Sequence, residues 1–333
     1  MRLFRKIMVA ALASGIAAFL LVPLLFPFQS NGTLTNVQAA GSNGQFVKIN
    51  EISIHYKLEP FSGDGLPSAN QGVSGVKRPP VIILLHGFGA STFSWRDVMV
   101  PLSKAGEVIA YDRPAFGFTE RPTTWTGNNP YGFEGNLEIL QALVEKFASK
   151  RNVILVGHSA GGLIAAEFAR LHPDLVQKLV LVAPAVLNTG SASGLGFLKA
   201  IPQIDALGPL LVQGIATTGN ALLEKSFYDK KQLTQSVVAG YRAPLSVIGW
   251  ERGFWEFTNA PRDNAFLKNV ETMRQSTLLI SGEFDTVVPT ADTKKLSSLI
   301  PDSSLVIIPK TAHLPHEENP KLFNQAVLGW LGR

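Results

Sequence analysis

The chain has 333 residues, 46% apolar and 17% charged, which allows one large core with an inserted subdomain and excludes a disordered chain. Basic residues exceed acidic ones by five, but Arg2, Arg5 and Lys6 precede every acid and leave 27 basic against 25 acidic residues; with no Lys/Arg stripe interleaved with aromatics, nucleic-acid binding is not expected. No cysteine is present, so disulfides, thiolate nucleophiles and Cys-ligated metals are excluded.

After Lys6 an uncharged stretch runs from Ile7 to Phe28, and the next charge is Lys48. A positive flank followed by an apolar run predicts membrane insertion with the N-terminus cytoplasmic. The run is long enough for the roughly 20 apolar residues of a bilayer-spanning helix. Val37-Gln38-Ala39 and Gln38-Ala39-Ala40 also resemble small-residue cleavage sites, so residues 1–28 read as a membrane anchor or a signal segment. Either way the remainder is expected on the non-cytoplasmic side, anchored or secreted.

Residues 29–45 are rich in Ser, Asn, Gly and Thr and read as a tether. Phe46–Leu58 alternates as two short strands around an Asn50-Glu51 turn, and residues 61–78 form a Gly/Ser/Pro-rich loop to which no chemistry is assigned. From Pro80 the pattern becomes regular. Apolar runs of strand length recur at Val81–Leu85, Val108–Tyr111, Val153–Val156, Leu179–Val182, Thr277–Ile280 and Leu305–Ile308. Helical patterns at Glu138–Ala148, Leu163–Leu171 and Pro320–Leu331 intervene or follow. Continuous apolar strands alternating with helices predict an α/β fold, a mostly parallel twisted sheet covered on both faces. The interval between the fourth and fifth runs is too long for a crossover. Its helical pieces, such as Asn220–Tyr228 and Lys231–Tyr241, predict a cap inserted over the strand ends. The expected division is core 46–184, helical cap 185–270 and core 271–333.

Ligands bind such sheets at the carboxyl ends of the strands. There stand His86-Gly87-Phe88-Gly89, Asp112-Arg113-Pro114-Ala115-Phe116-Gly117, Gly157-His158-Ser159-Ala160-Gly161-Gly162, Gly282-Glu283-Phe284-Asp285 and Ala312-His313. A serine, an acid and a histidine follow separate strands in that chain order, and Gly157-x-Ser159-x-Gly161 is a nucleophile-elbow pattern.

These five motifs, with Glu318 and Pro320 after His313, resemble the capped α/β-hydrolases: esterases, lipases, epoxide hydrolases, haloalkane dehalogenases and carbon–carbon bond hydrolases. The resemblance runs from about Phe46 to the C-terminus. It implies an α/β-hydrolase fold with Ser159 as nucleophile, His313 as its base and Asp285 orienting the imidazole. The oxyanion would meet the backbone N–H groups of Phe88 and Ala160, the latter opening a helix whose N-terminus favours negative charge. Gly157 and Gly161 leave room for the strained serine, and Gly87, His86 and His158 support the surrounding loops. His316 is the rival base; Glu283 and Asp302 are the rival acids. Asp112 and Arg113 read as a buried ion pair bracing the oxyanion loop, and His55 and His172 as surface or core residues.

The family members that open epoxides or remove halides place an aspartate where Ser159 stands, and the carbon–carbon bond hydrolases usually carry a tryptophan where Leu314 follows His313. Hydrolysis of carboxylic esters of apolar small molecules or lipids is therefore the expected reaction. The alternatives are a ligand-binding or signalling protein on the same fold, or another reaction of the family such as carbon–carbon bond or epoxide hydrolysis or perhydrolysis. No His/Asp cluster suggests a metal and no glycine loop suggests a nucleotide, so no cofactor is expected. Residues 190–220, with Trp250, Phe254, Trp255 and Phe257, read as packing for the cap or as an apolar lid over Ser159.

Overall fold

The computed structural model describes residues 2–25, 28–63, 78–187, 199–262 and 264–332. Among the described residues eight strands form a single sheet: β1 (Gln45–Ile49), β2 (Ile52–Glu59), β3 (Val81–Leu85), β4 (Glu107–Tyr111), β5 (Val153–His158), β6 (Val176–Val182), β7 (Ser276–Gly282) and β8 (Ser303–Ile308). Their spatial order is β1-β2-β4-β3-β5-β6-β7-β8. β1 and β2 pair antiparallel through the Asn50-Glu51 turn, and β2 runs antiparallel to β4; all other pairs are parallel. Both turn residues have positive φ, the geometry that lets a two-residue hairpin follow strand twist.

The helices are α1 (Arg2–Leu25), α2 (Asn36–Ala40), α3 (Met99–Leu102), α4 (Phe133–Ala148), α5 (Ala160–Leu171), α6 (Pro202–Val212), α7 (Ile215–Ser226), α8 (Gln235–Arg242), α9 (Trp250–Asn259), α10 (Thr290–Leu299), α11 (Pro315–Glu318) and α12 (Pro320–Leu331). The apolar runs supply both faces of the sheet. Ile83, Leu85, Leu155 and Leu179 pack with Leu140 of α4 and Phe168 of α5. Their neighbours Ile82, Leu84, Val156 and Val180 face Trp95 and Phe323 on the other side. Strands buried on both faces need no polar alternation, which is why they read as unbroken apolar runs.

α6 to α9 lie between β6 and β7 and form the cap. Trp250, Phe254 and Trp255 of α9 pack on Phe116 and Tyr131, which follow β4. Residues 190–198 of the expected lid lie outside the described residues. α4 begins five residues before its expected start, because Gly132 and Phe133 open the helix where Gly and Asn weaken the helical pattern.

Among the described residues, α1 is the helix long and apolar enough to cross a membrane. Its far end meets the cap, where Gln203 Nε2 donates to Leu20 O at 3.4 Å. The stretch read as a tether does not run free here. Ser30–Leu34 crosses the cap beside residues 246–251, and Thr35 caps α2 in a reciprocal bond with Gln38.

Candidate active site

Ser159 occupies the junction of β5 and α5 with φ 51° and ψ −119°, a backbone region that L residues avoid. The surroundings hold it there: Ser159 N donates to Val182 O at 2.9 Å, and its carbonyl accepts from Gly162 N and Ala185 N. The flanking glycines are required by contact. A Cβ at Gly157 would stand 2.6 Å from Gly161 O, and one at Gly161 would stand 2.4 Å from Leu85 O. Side chains at either position would push the elbow off the sheet.

His313 precedes α11 and Asp285 follows β7. His313 Nδ1 lies 2.8 Å from Asp285 Oδ2, while Asp285 Oδ1 accepts from Val287 N and Val288 N at 2.8 and 3.0 Å. The carboxylate is thus fixed before it meets the imidazole, and as an acceptor it selects the tautomer with hydrogen on Nδ1. That leaves Nε2 free for the cavity that Ser159 and His313 share. The two side chains form no hydrogen bond with each other, a common state of such sites before substrate binds.

Glu318 holds the loop before His313, accepting from Ala312 N at 2.6 Å and from Tyr228 N of the cap at 2.5 Å. His313 N in turn donates to Ser226 O at the end of α7. The rival acids lie elsewhere: Glu283 accepts from Lys310 N, and Asp302 accepts from Ser276 Oγ at the opposite end of β7.

His86 arranges the first loop. Its Nδ1 donates to Gly87 O at 2.7 Å and its Nε2 accepts from Arg113 N at 3.0 Å, which requires a neutral ring. Burial, with Arg113 nearby, lowers its pKa to about 3, in agreement with that state. Among the described residues the Phe88 N–H then meets no backbone carbonyl, and Ala160, at the first position of α5, has no intrahelical acceptor for its own. His158 donates through Nε2 to His313 O at 3.0 Å, and burial together with the neighbouring histidines keeps it neutral.

One expectation is corrected. Asp112 pairs with His55 from β2, at 2.7 Å, and not with Arg113. Asp112 also accepts from Thr92 N and Phe118 N; burial pushes its pKa up, but the His55 bond and the amides prevail and hold it at about 2. Arg113 lies over the Phe116 ring and donates to Gly87 O at 3.2 Å; burial lowers its pKa to about 10. The two residues brace the loop separately. Each has its own partners because β2 brings His55 to the strand end.

A second serine–histidine–acid group was not anticipated. His316 Nε2 lies 2.9 Å from Ser94 Oγ, which donates to Glu317 Oε1 at 2.6 Å. Glu317 also accepts from Arg96 and from Tyr241 of α8. Since Ser94 gives its hydrogen to Glu317, His316 must donate to it and cannot act as its base. Burial, with Arg96 and His313 nearby, lowers the His316 pKa to about 3, and neither Ser94 nor His316 lines the cavity. The group joins core to cap.

The cavity at Ser159 measures about 180 Å³. Phe88, Phe116, Leu222, Trp250 and Phe254 give it mostly apolar walls, with Arg121 at one side. The Arg121 guanidinium donates to Thr119 O and Gly117 O, and burial lowers its pKa to about 10. Among the described residues no group of His, Cys, Asp and Glu side chains is arranged to hold a metal ion.

A family model described as the alpha/beta hydrolase fold matches residues 80–320. The uncharacterized hydrolase YugF of Bacillus subtilis is 27% identical over 250 residues, covering 75% of this chain and 89% of that protein. The 2-hydroxy-6-oxo-2,4-heptadienoate hydrolase of Pseudomonas putida is 26% identical over 263 residues, covering 75% of this chain and 88% of that protein. A thermophilic esterase from Thermogutta terrifontis superposes with a TM-score of 0.66 at 22% identity, covering 86% of this chain and 98% of that one. The sheet order, the cap and the matched span agree: the chain belongs to the α/β-hydrolase fold family, and it is a hydrolase.

Proposed function

We propose that the protein is a serine hydrolase of carboxylic esters with apolar acyl or aryl parts, working through Ser159, His313 and Asp285. The observation that carries this reading is Ser159 in a positive-φ elbow, sharing an apolar cavity with a histidine whose Nδ1 is bound to a fixed carboxylate. Ser159 Oγ attacks the ester carbonyl carbon as its proton passes to His313 Nε2, and Asp285 stabilises the imidazolium. The Phe88 and Ala160 N–H groups meet the oxyanion, one such donor typically contributing about 10²–10³ in rate. His313 then gives the proton to the departing alcohol. Water, deprotonated by the same Nε2, attacks the acyl-enzyme and releases the acid. No cofactor enters. Ser159→Ala tests this: ester hydrolysis should vanish in a folded protein, and a variant that keeps more than a few per cent of wild-type turnover would overturn the assignment.

Carbon–carbon bond hydrolysis is the second reading, favoured by the Pseudomonas putida relative. Leu314 in place of the usual tryptophan weighs against it. Cleavage of vinylogous diketones in preference to octanoyl or aryl esters would reverse the order.

We also propose that the catalytic domain lies outside the cytoplasm. The 24 residues of α1 extend about 36 Å at 1.5 Å per residue, enough for a hydrocarbon core about 30 Å thick, and its basic residues stand at the N-terminal end. Leu210 and Leu211 of α6 are exposed on the cap that α1 approaches, which suits a substrate drawn from the bilayer.

A further inference from the structure

The segment after α1 is built into the cap. Glu251, in the first turn of α9, is fully buried, and among the described residues the two hydrogen bonds it accepts both come from this segment: Ser30 Oγ at 2.6 Å and Asn31 N at 2.8 Å. Ser30 Oγ also accepts from Gly249 N at 2.8 Å, so one hydroxyl joins the strap to the residue that caps α9. Farther on, Thr33 N and Leu34 N donate to Ser246 O at 2.9 and 3.0 Å, and Ile248 N donates to Leu34 O at 2.8 Å. Gly32 lies so close that a Cβ there would stand 2.1 Å from Val247 O. Trp250, adjacent to Glu251, and Phe254, three residues on, are walls of the cavity at Ser159.

A carboxylate without donors is strongly disfavoured in a buried site. Cleavage at the small residues Ala39 or Ala40 would remove Ser30 and Asn31 together, leaving Glu251 in that condition next to Trp250 of the cavity wall. Resting on the esterase reading for its choice of substrate, we infer that residues 30–34 are a retained strap that positions α9. Through Glu251 the strap sets how well the pocket binds the apolar part of an ester, and it ties the pocket wall to α1. Ser30, Gly32 and Glu251 are positioning residues, since none of them lines the cavity.

The full chain in detergent micelles is the material for the test, with Ser30→Ala, Ser30→Thr and Gly32→Val. KM for an octanoyl aryl ester should rise about tenfold in Ser30→Ala and Gly32→Val, the size of one lost hydrogen bond to a charged group. The kcat and the labelling rate of Ser159 by a fluorophosphonate should stay within about twofold, because the triad is untouched. Ser30→Thr, which keeps the hydroxyl, should restore KM. Unchanged KM in all three, or kcat and melting temperature falling together while KM holds, would overturn the inference. So would a membrane-isolated protein whose N-terminus begins at Ala40 or Gly41, whereas a start before Ser30 is expected. Should the wild type label at no serine and hydrolyse no ester, the esterase reading fails alone, and hydrogen exchange decides the strap. Faster exchange of α9 amides in Gly32→Val than in wild type supports it, and equal protection overturns it.

Discussion

Gly282 closes β7 against the segment that carries His313, and its substitution tests how tightly the geometry of the proposed triad is held. A Cβ there would stand 1.9 Å from Ala312 O, the carbonyl immediately before His313, and 2.6 Å from Thr311 O. Real Cβ contacts essentially never fall under 3.0 Å, so Gly282→Ala must part the two segments by about 1.1 Å at that carbonyl. Asp285 lies three residues beyond Gly282, and its bond to His313 Nδ1 spans the same gap. A misplacement of about 1 Å typically costs about 10² in rate. The expected outcome is a fall in kcat of about a hundredfold on an octanoyl aryl ester, with KM altered less, because Phe88, Phe116, Leu222, Trp250 and Phe254, which supply most of the apolar wall, belong to other elements. Steady-state kinetics read the change, and far-UV circular dichroism establishes that the fold persists. A folded Gly282→Ala enzyme with kcat within about threefold of wild type would show that the triad does not depend on this contact.

His313→Ala should lower kcat by at least about a thousandfold, whereas His316→Ala should cost about 1–3 kcal/mol of stability and leave kcat within about tenfold; the reverse order in kinetics and urea melts would reassign the base. Stability should fall as pH drops from about 6.5 toward 3. His86, His158 and His316 are neutral in the fold with pKa values lowered by burial, so the unfolded chain binds more protons across that window, and Asp112, held at about 2, acts in the same direction below its ordinary value. Glu317 and Glu318, raised by burial, oppose this above the ordinary carboxylate range, but three histidines outweigh two carboxyls. Thermal melts at pH 7.5 and 4.5 should therefore differ by roughly 10 °C or more, and equal melting temperatures would contradict the assignment of neutral histidines. Replacing both Leu210 and Leu211 with Ser should reduce activation by micelles more than it lowers the melting temperature, since both are exposed on α6; equal rates on acetyl and octanoyl esters with no micelle response would leave α6 as cap packing alone.

Much of the core was legible because burial on both faces writes each parallel strand as a short apolar run, and because the candidate site residues sit where those runs end. The glycines around Ser159 carried the elbow, since no larger residue fits beside Leu85 O or Gly161 O. What could not be read depends on residues far apart in sequence. The partner of Asp112 is His55, set by the antiparallel register of β2 on β4, in which Tyr56 lies opposite Tyr111. Nothing local to Asp112 signals that partner, and the adjacent Arg113 misleads. The Ser94–His316–Glu317 group joins segments more than two hundred residues apart. Arg121 reaches the pocket only because α9 passes over it, and a Cβ at Gly253 would meet the Arg121 side chain at 2.8 Å. The strap was read as a tether from its polar small residues, and only its partners in the cap, above all the buried Glu251, give those residues a place.

The most direct test of the catalytic reading is labelling of the full chain with a fluorophosphonate, followed by intact mass and peptide mapping. The expected result is a single adduct on Ser159 that is absent in Ser159→Ala and forms far more slowly in His313→Ala. No adduct, or an adduct on Ser94 with ester hydrolysis persisting in Ser159→Ala, would contradict it.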